Sequence, residues 1–414
     1  MKMKRLQVST VAALALAAVF AIVPAKQAAA APAAPTDVKQ TVSTQDGFKV
    51  TWTKVTGATD YMVSFSADGK SFTTEESTKG ASEFAKLDPD KKLLKPGTTY
   101  IVKVRAIDGS GSSAAVSAKA ATAPEVMTSF EQIGATTTTA KLSWTASAGA
   151  NGYLIKIGAD AASAKDLTTV TTTTVNLTSL KPDSAYYVAV YPIRKVTDKF
   201  YASDKCAYNN RVVTVAEAVQ KVSVAEWDVR RNYFRLSWKN SAKYEGGYQV
   251  EVDKADGKVW KTFNLRGRKL KGASINVNKL KNKAFTVKVR TYNKFGNEYS
   301  YGDWSEVIYC VPEANVTTKK LSVTSVQLDW AKIAGAKKYN ILAATEDGGE
   351  YKKIATTKNN SYTVSNLATG KNYYFVVRPI KVKVGGKKKG ATELDVANDV
   401  PVCLLPGKGS AEFE

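Results

Sequence analysis

Four tryptophans, Trp52, Trp144, Trp238 and Trp330, stand 92, 94 and 92 residues apart (52 to 144, 144 to 238, 238 to 330). Each closes a run in which apolar and polar residues alternate: Val50 to Trp52, Leu142 to Trp144, Phe234 to Trp238 and Val326 to Trp330. After a short turn a tyrosine follows every time, as Tyr61, Tyr153, Tyr248 and Tyr339. A period of two buries one face of a strand, and a large aromatic at its end belongs to a core. Recurrence at this spacing is one β-sandwich domain long. The chain therefore reads as four copies of one all-β unit.

The length of 414 residues alone suggests about three domains, and four repeats fit that prior. Each repeat is long enough to bury a core without covalent staples. Cys206, Cys310 and Cys403 fall in three different repeats, so they cannot form intradomain bridges and read as small apolar residues. The chain has no histidine. That removes Ser-His-Asp and Cys-His nucleophile pairs, imidazole metal ligands and the usual near-neutral base. Carboxylate-pair hydrolysis stays chemically open, but the acids scatter among lysines. No glycine-rich phosphate loop, metal-ligand spacing or nucleophile elbow occurs. The expectation is a non-enzymatic chain with no cofactor and no metal. Sixty Lys and Arg against 37 Asp and Glu give a formal charge of +23, a field that favours anionic partners and weakens with salt. Solubility is the plainer account of the same charge.

Lys2, Lys4 and Arg5, the apolar run Val11 to Val23 and the small residues Ala28 to Ala31 read as a cleaved secretory signal over 1–31, too short to span a membrane. Four repeats follow over 35–123, 124–217, 218–311 and 312–406, with a tail at 407–414. No sorting motif or lipid signal is legible in that tail, so retention at a cell surface is expected to be noncovalent. Proline-marked joints such as Ala123-Pro124 and Val311-Pro312 favour a semi-rigid row of modules. Leu94 precedes Tyr100 by six residues in a Leu-Lys-Pro-Gly-Thr-Thr-Tyr corner, and Leu180 to Tyr186 and Leu367 to Tyr373 repeat that spacing. Repeat three departs, with Leu280 five residues before Phe285. Repeats two and four share a proline, Pro192 and Pro379, in the strand after the corner.

The strand-ending Trp, the following Tyr and the L-x-P-x-x-x-Y corner together resemble fibronectin type III domains over essentially all of 35–406. Spacing and composition are most similar to the tandem modules of secreted bacterial proteins. The resemblance implies an all-β chain of four tandem seven-stranded Greek-key sandwiches, with the Trp on the second strand. It also implies a corner tyrosine hydroxyl bonded to backbone through Tyr100, Tyr186 and Tyr373. Phe285 cannot make that bond, so repeat three is expected to be looser there unless another group satisfies the backbone.

Loops carried on such a scaffold are where recognition belongs. Gly385 to Gly390 places Lys387, Lys388 and Lys389 at one hairpin tip, a docking point for a polyanion or a solvated loop. Arg266 and Arg268 flank a glycine, with Lys269 and Lys271 following; the two guanidinium forks suit sulfate, phosphate or carboxylate, or the loop is simply charged. Repeat three is rich in additional aromatics, and Trp304 in the stretch Phe295 to Trp304 is a candidate for stacking on sugars or bases, with module packing as the alternative. The leading expectation is an exported adhesion or binding protein that engages an anionic polysaccharide, another extracellular polyanion or a surface protein through repeats three and four. Weak contacts on several modules would add through effective concentration. A structural spacer without a specific ligand and an accessory chain of a glycan-degrading system are the rivals. A transmembrane span and an intracellular nucleic-acid partner are not expected.

Overall fold

The computed structural model describes residues 30–196, 199–203, 210–231, 233–239, 242–244, 246–394 and 399–404. The signal-like segment up to residue 29, Cys206 and the tail lie outside the described residues. Repeat one shows the plan. Its strands are β1 (Thr36–Thr44), β2 (Gly47–Thr53), β3 (Asp60–Ser66), β4 (Glu76–Ser77), β5 (Glu83–Leu87), β6 (Thr99–Asp108), β7 (Gly111–Ser112) and β8 (Val116–Ala121). One sheet runs in the order β1-β2-β5; the other runs β4-β3-β6, with β7 and β8 both pairing β6. The chain thus changes sheet between β2 and β3, returns between β4 and β5, and crosses again between β5 and β6, and all the pairs are antiparallel.

The same plan recurs three times. The three-stranded sheets are Thr174–Leu177, Ala140–Trp144 and Phe130–Ala135 in repeat two, and Gln220–Asp228, Tyr233–Lys239 and Gly272–Ser274 in repeat three. In repeat four they are Val316–Ser322, Ser325–Trp330 and Ser361–Val364. Each packs against a larger sheet centred on a long strand after the corner: Ala185–Val196, Phe285–Phe295 or Asn372–Ile380. Repeat one belongs to one compact unit and repeats two to four to another. Among the described residues the only helical turn is a 3-10 turn at Asn278–Leu280, and no helix is long and apolar enough to cross a membrane.

Alternation becomes burial as the sequence pattern requires. In β2, Phe48, Val50 and Trp52 face the core, and Tyr61, Val63 and Phe65 meet them from β3. Each repeated tryptophan meets its tyrosine at 5.2 to 5.4 Å between ring centroids. Such pairs add about 1 kcal/mol beyond their buried area. In repeats one, two and four the tyrosine hydroxyl also accepts a backbone N–H, from Val55, Ser147 and Ile333. Those three bonds hold the turn between the second and third strands onto the core.

The corner behaves as the resemblance implies. Lys95, Lys181 and Ala368 donate their backbone N–H groups to the hydroxyls of Tyr100, Tyr186 and Tyr373 at 2.7, 2.7 and 2.9 Å. Repeat three corrects the expectation of looseness. Its equivalent amide, Lys281 N–H, donates to Asn278 O at 3.3 Å inside the 3-10 turn. Phe285 is fully buried and packs on Trp227 and Phe234. One residue fewer in the corner thus tightens the turn, and backbone replaces the hydroxyl.

Proline alternation has an equally local cause. In repeat one, the N–H group of Ala106 is taken by the hydroxyl of Ser113, while the Ala106 carbonyl accepts from the Ser113 amide. In repeat three the position is Thr291, whose carbonyl accepts from Gly302 N–H and whose hydroxyl donates to Ala216 O. In repeats two and four, Pro192 and Pro379 stand there with only a carbonyl to offer, and it accepts from Ser203 and Ala391. A side-chain acceptor is needed only where a donor exists.

Candidate anion-binding site at the joint of repeats three and four

The structure places the three sequence-predicted clusters in three different settings. The stretch Arg266 to Lys271 lies at the end of repeat three that faces repeat two. Its backbone folds over the core: Leu270 O accepts the Trp238 indole N–H at 3.0 Å, Lys271 O accepts the Trp238 amide at 2.8 Å, and Arg268 O accepts the Tyr248 hydroxyl at 3.3 Å. The Arg268 guanidinium donates to Lys243 O. The Lys243 amide in turn bonds both carboxylate oxygens of Asp183 in repeat two at 3.0 Å. Arg268 is therefore engaged in holding the joint with repeat two, whereas Arg266, Lys269 and Lys271 are exposed.

Trp304 lies on the outer face of the larger sheet of repeat three. The Arg290 guanidinium is sandwiched between Tyr301 and Trp304, with ring centroids at 3.8 and 4.1 Å, and Lys288 Nζ sits 4.8 Å from the Trp304 ring. Arg290 is fixed further by two bonds to Gln249 Oε1 at 2.9 and 2.7 Å. Burial lowers its pKa from the usual value. Beside it Glu251 pairs with Lys288 at 2.7 Å, and Asp253 is held above the usual carboxylate range by burial and then by the Glu251 charge. Cation and ring thus satisfy each other within this face. The hairpin that carries the rings also docks onto repeat two: Ser300 Oγ accepts the Ala135 amide at 2.9 Å. A Cβ on Gly302 would stand 2.5 Å from Ala216 O.

The lysine tip is divided by strand register. Val382–Val384 and Lys387–Lys389 form a two-stranded hairpin turned by Gly385 and Gly386, both with positive φ. Directly opposite residues share a face. Val382 and Val384 are fully buried, and opposite them Lys389 and Lys387 hold Nζ at 4.8 and 5.0 Å from the ring of Tyr309 in repeat three. The turn is seated by Gly385 N–H on Ala255 O at 3.1 Å. A Cβ at Gly385 would stand 3.1 Å from Thr286 and 3.2 Å from Tyr309, so the residue has to be glycine on both counts.

Lys383 and Lys388, paired across the hairpin, take the other face. There they meet Lys337, Lys338 at the start of the strand Lys338–Ala344, and Lys381, around a cavity of about 420 Å³ also lined by Gly335 and Ile380. No carboxylate lines this cavity, and no ion pair to any of its five lysines is found among the described residues. Sequence reasoning named only Lys388 of the five. The other four are the pair Lys337-Lys338 and the alternating Lys381 and Lys383, in two segments more than 40 residues apart, and the pairing of Lys338 with Ile380 is what joins them. Next to this groove, across one residue of the same turn, a second cavity of about 370 Å³ opens at the joint itself, with Ala334 in its wall. Among the described residues no group of acidic or cysteine side chains is arranged to hold a metal.

The Fibronectin type III domain family model matches residues 33–123, which is repeat one, and the three later sheet pairs repeat its strand order. Repeat one is a fibronectin type III domain, and repeats two to four share its fold. Among solved structures the chain is similar to the FN1–FN3 domains of chicken CNTN1 (16% identity, 68% of this chain and 99% of that one, TM-score 0.30). It is also similar to a two-domain fibronectin type III segment of chicken tenascin (18% identity, 44% of this chain and 99% of that one, TM-score 0.26).

Proposed function

We propose that this chain is an exported, non-enzymatic binding protein that holds anionic polymers, polysaccharide or another extracellular polyanion, through repeats three and four. The observation that carries the reading is the convergence of Lys337, Lys338, Lys381, Lys383 and Lys388 on one cavity without a carboxylate. Like charges facing one another across a hairpin are destabilising. An anionic ligand relieves that repulsion, whereas a scattered solubilising charge would not need to be concentrated. Export rests on the basic, apolar and small-residue succession of the first 31 residues, and the modules are taken as 35–123, 124–217, 218–311 and 312–406.

Salt dependence is the direct test. Five lysines each releasing a counterion from a flexible polyanion give a slope of log K against log salt of about −3.5. Binding of the full chain to polygalacturonate and to polyphosphate, titrated in salt, is expected to show a slope of that order. The double substitution Lys338→Gln with Lys381→Gln should reduce it by about 1.4. Binding indifferent to salt, or unaltered by the double substitution, removes the reading.

A further inference from the structure

We propose that the cavity at the joint of repeats three and four is a saccharide subsite, which seats one ring of an acidic polysaccharide whose neighbouring units lie in the lysine groove. The proposal deepens the polyanion reading and rests on it. Three observations point to a ring rather than to charge alone. The cavity, of about 370 Å³, has the size of an ordinary small-ligand site. Its lining is mixed: half-buried Trp260 and the apolar groups of Leu280 and Ala334 share it with Lys254, Lys279 and Lys283. An indole face accepts the C–H face of a pyranose, and the ammonium groups accept the acidic substituent. One carboxylate, Asp256, also lines it and is suited to a sugar hydroxyl.

The cavity is preformed by the way the two repeats lock. Ala334 N–H donates to Asn282 O at 2.9 Å, and Gly385 N–H donates to Ala255 O at 3.1 Å. Both bonds cross from repeat four to repeat three, and both involve the segments that wall the cavity. A site that needs no ordering keeps more of its contact energy as affinity. The Trp260 indole N–H donates to no acceptor among the described residues, in contrast to Trp238, whose N–H is held by Leu270 O. That donor is available to a sugar hydroxyl. Finally, Ala334 of this cavity and Gly335 of the groove are consecutive residues of one turn, so the two openings border that turn on either side.

The test compares two polyanions on the full chain: an oligogalacturonate, which carries carboxylates on rings, and a polyphosphate of matched charge, which has no ring. Trp260→Leu is expected to weaken oligogalacturonate binding about ten-fold and polyphosphate binding less than two-fold. Because Trp260 also packs on the core of repeat three, Ala334→Trp serves as the second variant: it fills the cavity from an exposed position and should have the same ring-selective effect. Lys338→Glu with Lys381→Glu should abolish both ligands. Equal losses for the two polymers in Trp260→Leu and Ala334→Trp, or no loss in either, overturn the subsite while leaving groove binding intact. Retention of both ligands by the lysine variant overturns the polyanion reading itself.

Discussion

Replacing Tyr100 by phenylalanine removes one oxygen and keeps the ring contacts to Phe48 and Phe65. What is lost is the acceptor for Lys95 N–H at 2.7 Å and a longer donation to Leu93 O at 3.4 Å. The tyrosine is 2% exposed, so water does not replace the oxygen freely. A buried donor left unpaired costs about 1–3 kcal/mol. For a sandwich of this size, 2 kcal/mol lowers the melting temperature by roughly 10 °C. Tyr186 and Tyr373 make the same bond at more exposed corners, so their phenylalanine variants should cost about 0.5–1 kcal/mol. The reverse change, Phe285→Tyr, should not stabilise repeat three. Lys281 N–H is already taken by Asn278 O, and the new hydroxyl enters a site walled by Trp227 and Phe234. Calorimetry on the full chain, with hydrogen exchange to assign each transition to its repeat, reads all four variants. Stabilisation by Phe285→Tyr, or a loss below about 0.5 kcal/mol in Tyr100→Phe, refutes the account of the corner.

Arg378→Met should cost about 3–5 kcal/mol in repeat four, read by denaturant unfolding, because it leaves the Glu313 carboxylate, only 2% exposed at its side chain, without the ion pair now at 2.7 Å. Asp253→Asn should stabilise repeat three at neutral pH and flatten its pH profile. Burial raises the Asp253 pKa in the folded state, so protonation favours the fold; that contribution is complete below the ordinary carboxylate value and is lost as pH rises through the raised one. A melting series across the acid range checks the sign. Gly385→Val should lift the lysine hairpin from repeat three, because its side chain meets Thr286 and Tyr309, and faster amide exchange at 382–389 with an unchanged exchange rate at 325–330 is the expected signature.

The sandwich was legible because its determinants are local. Trp52 and Tyr61, with their three counterpart pairs, state the strand alternation, and the corner spacing states the turn. The binding surface was less so, for reasons visible in particular residues. Arg266 to Lys271 looks like an anion fork in sequence, yet its carbonyls accept from Trp238 and Tyr248, a use of backbone that composition does not reveal. Arg266 pairs with Gly247 at one end of the strand Gly247–Lys254, while Lys254 lines the joint cavity at the other end, roughly 23 Å away. The sequence clusters of repeats three and four therefore do not merge into one surface. Lys387 and Lys389 are indistinguishable from Lys388 in sequence, and only hairpin register separates the pair over Tyr309 from the one in the groove. One signal is available in sequence: Lys337-Lys338 stands just before the repeated Tyr339, where the pattern itself places the strand start beside the strand after the corner.

Hydrogen-exchange footprinting of the full chain with an oligogalacturonate tests the central claim most directly. The account predicts slowed exchange confined to 254–260, 279–284, 333–338 and 379–389, lost together when Lys338 and Lys381 are reversed to glutamate. Protection centred on 266–271 or on repeat one, or a bound complex that slows exchange nowhere, contradicts it.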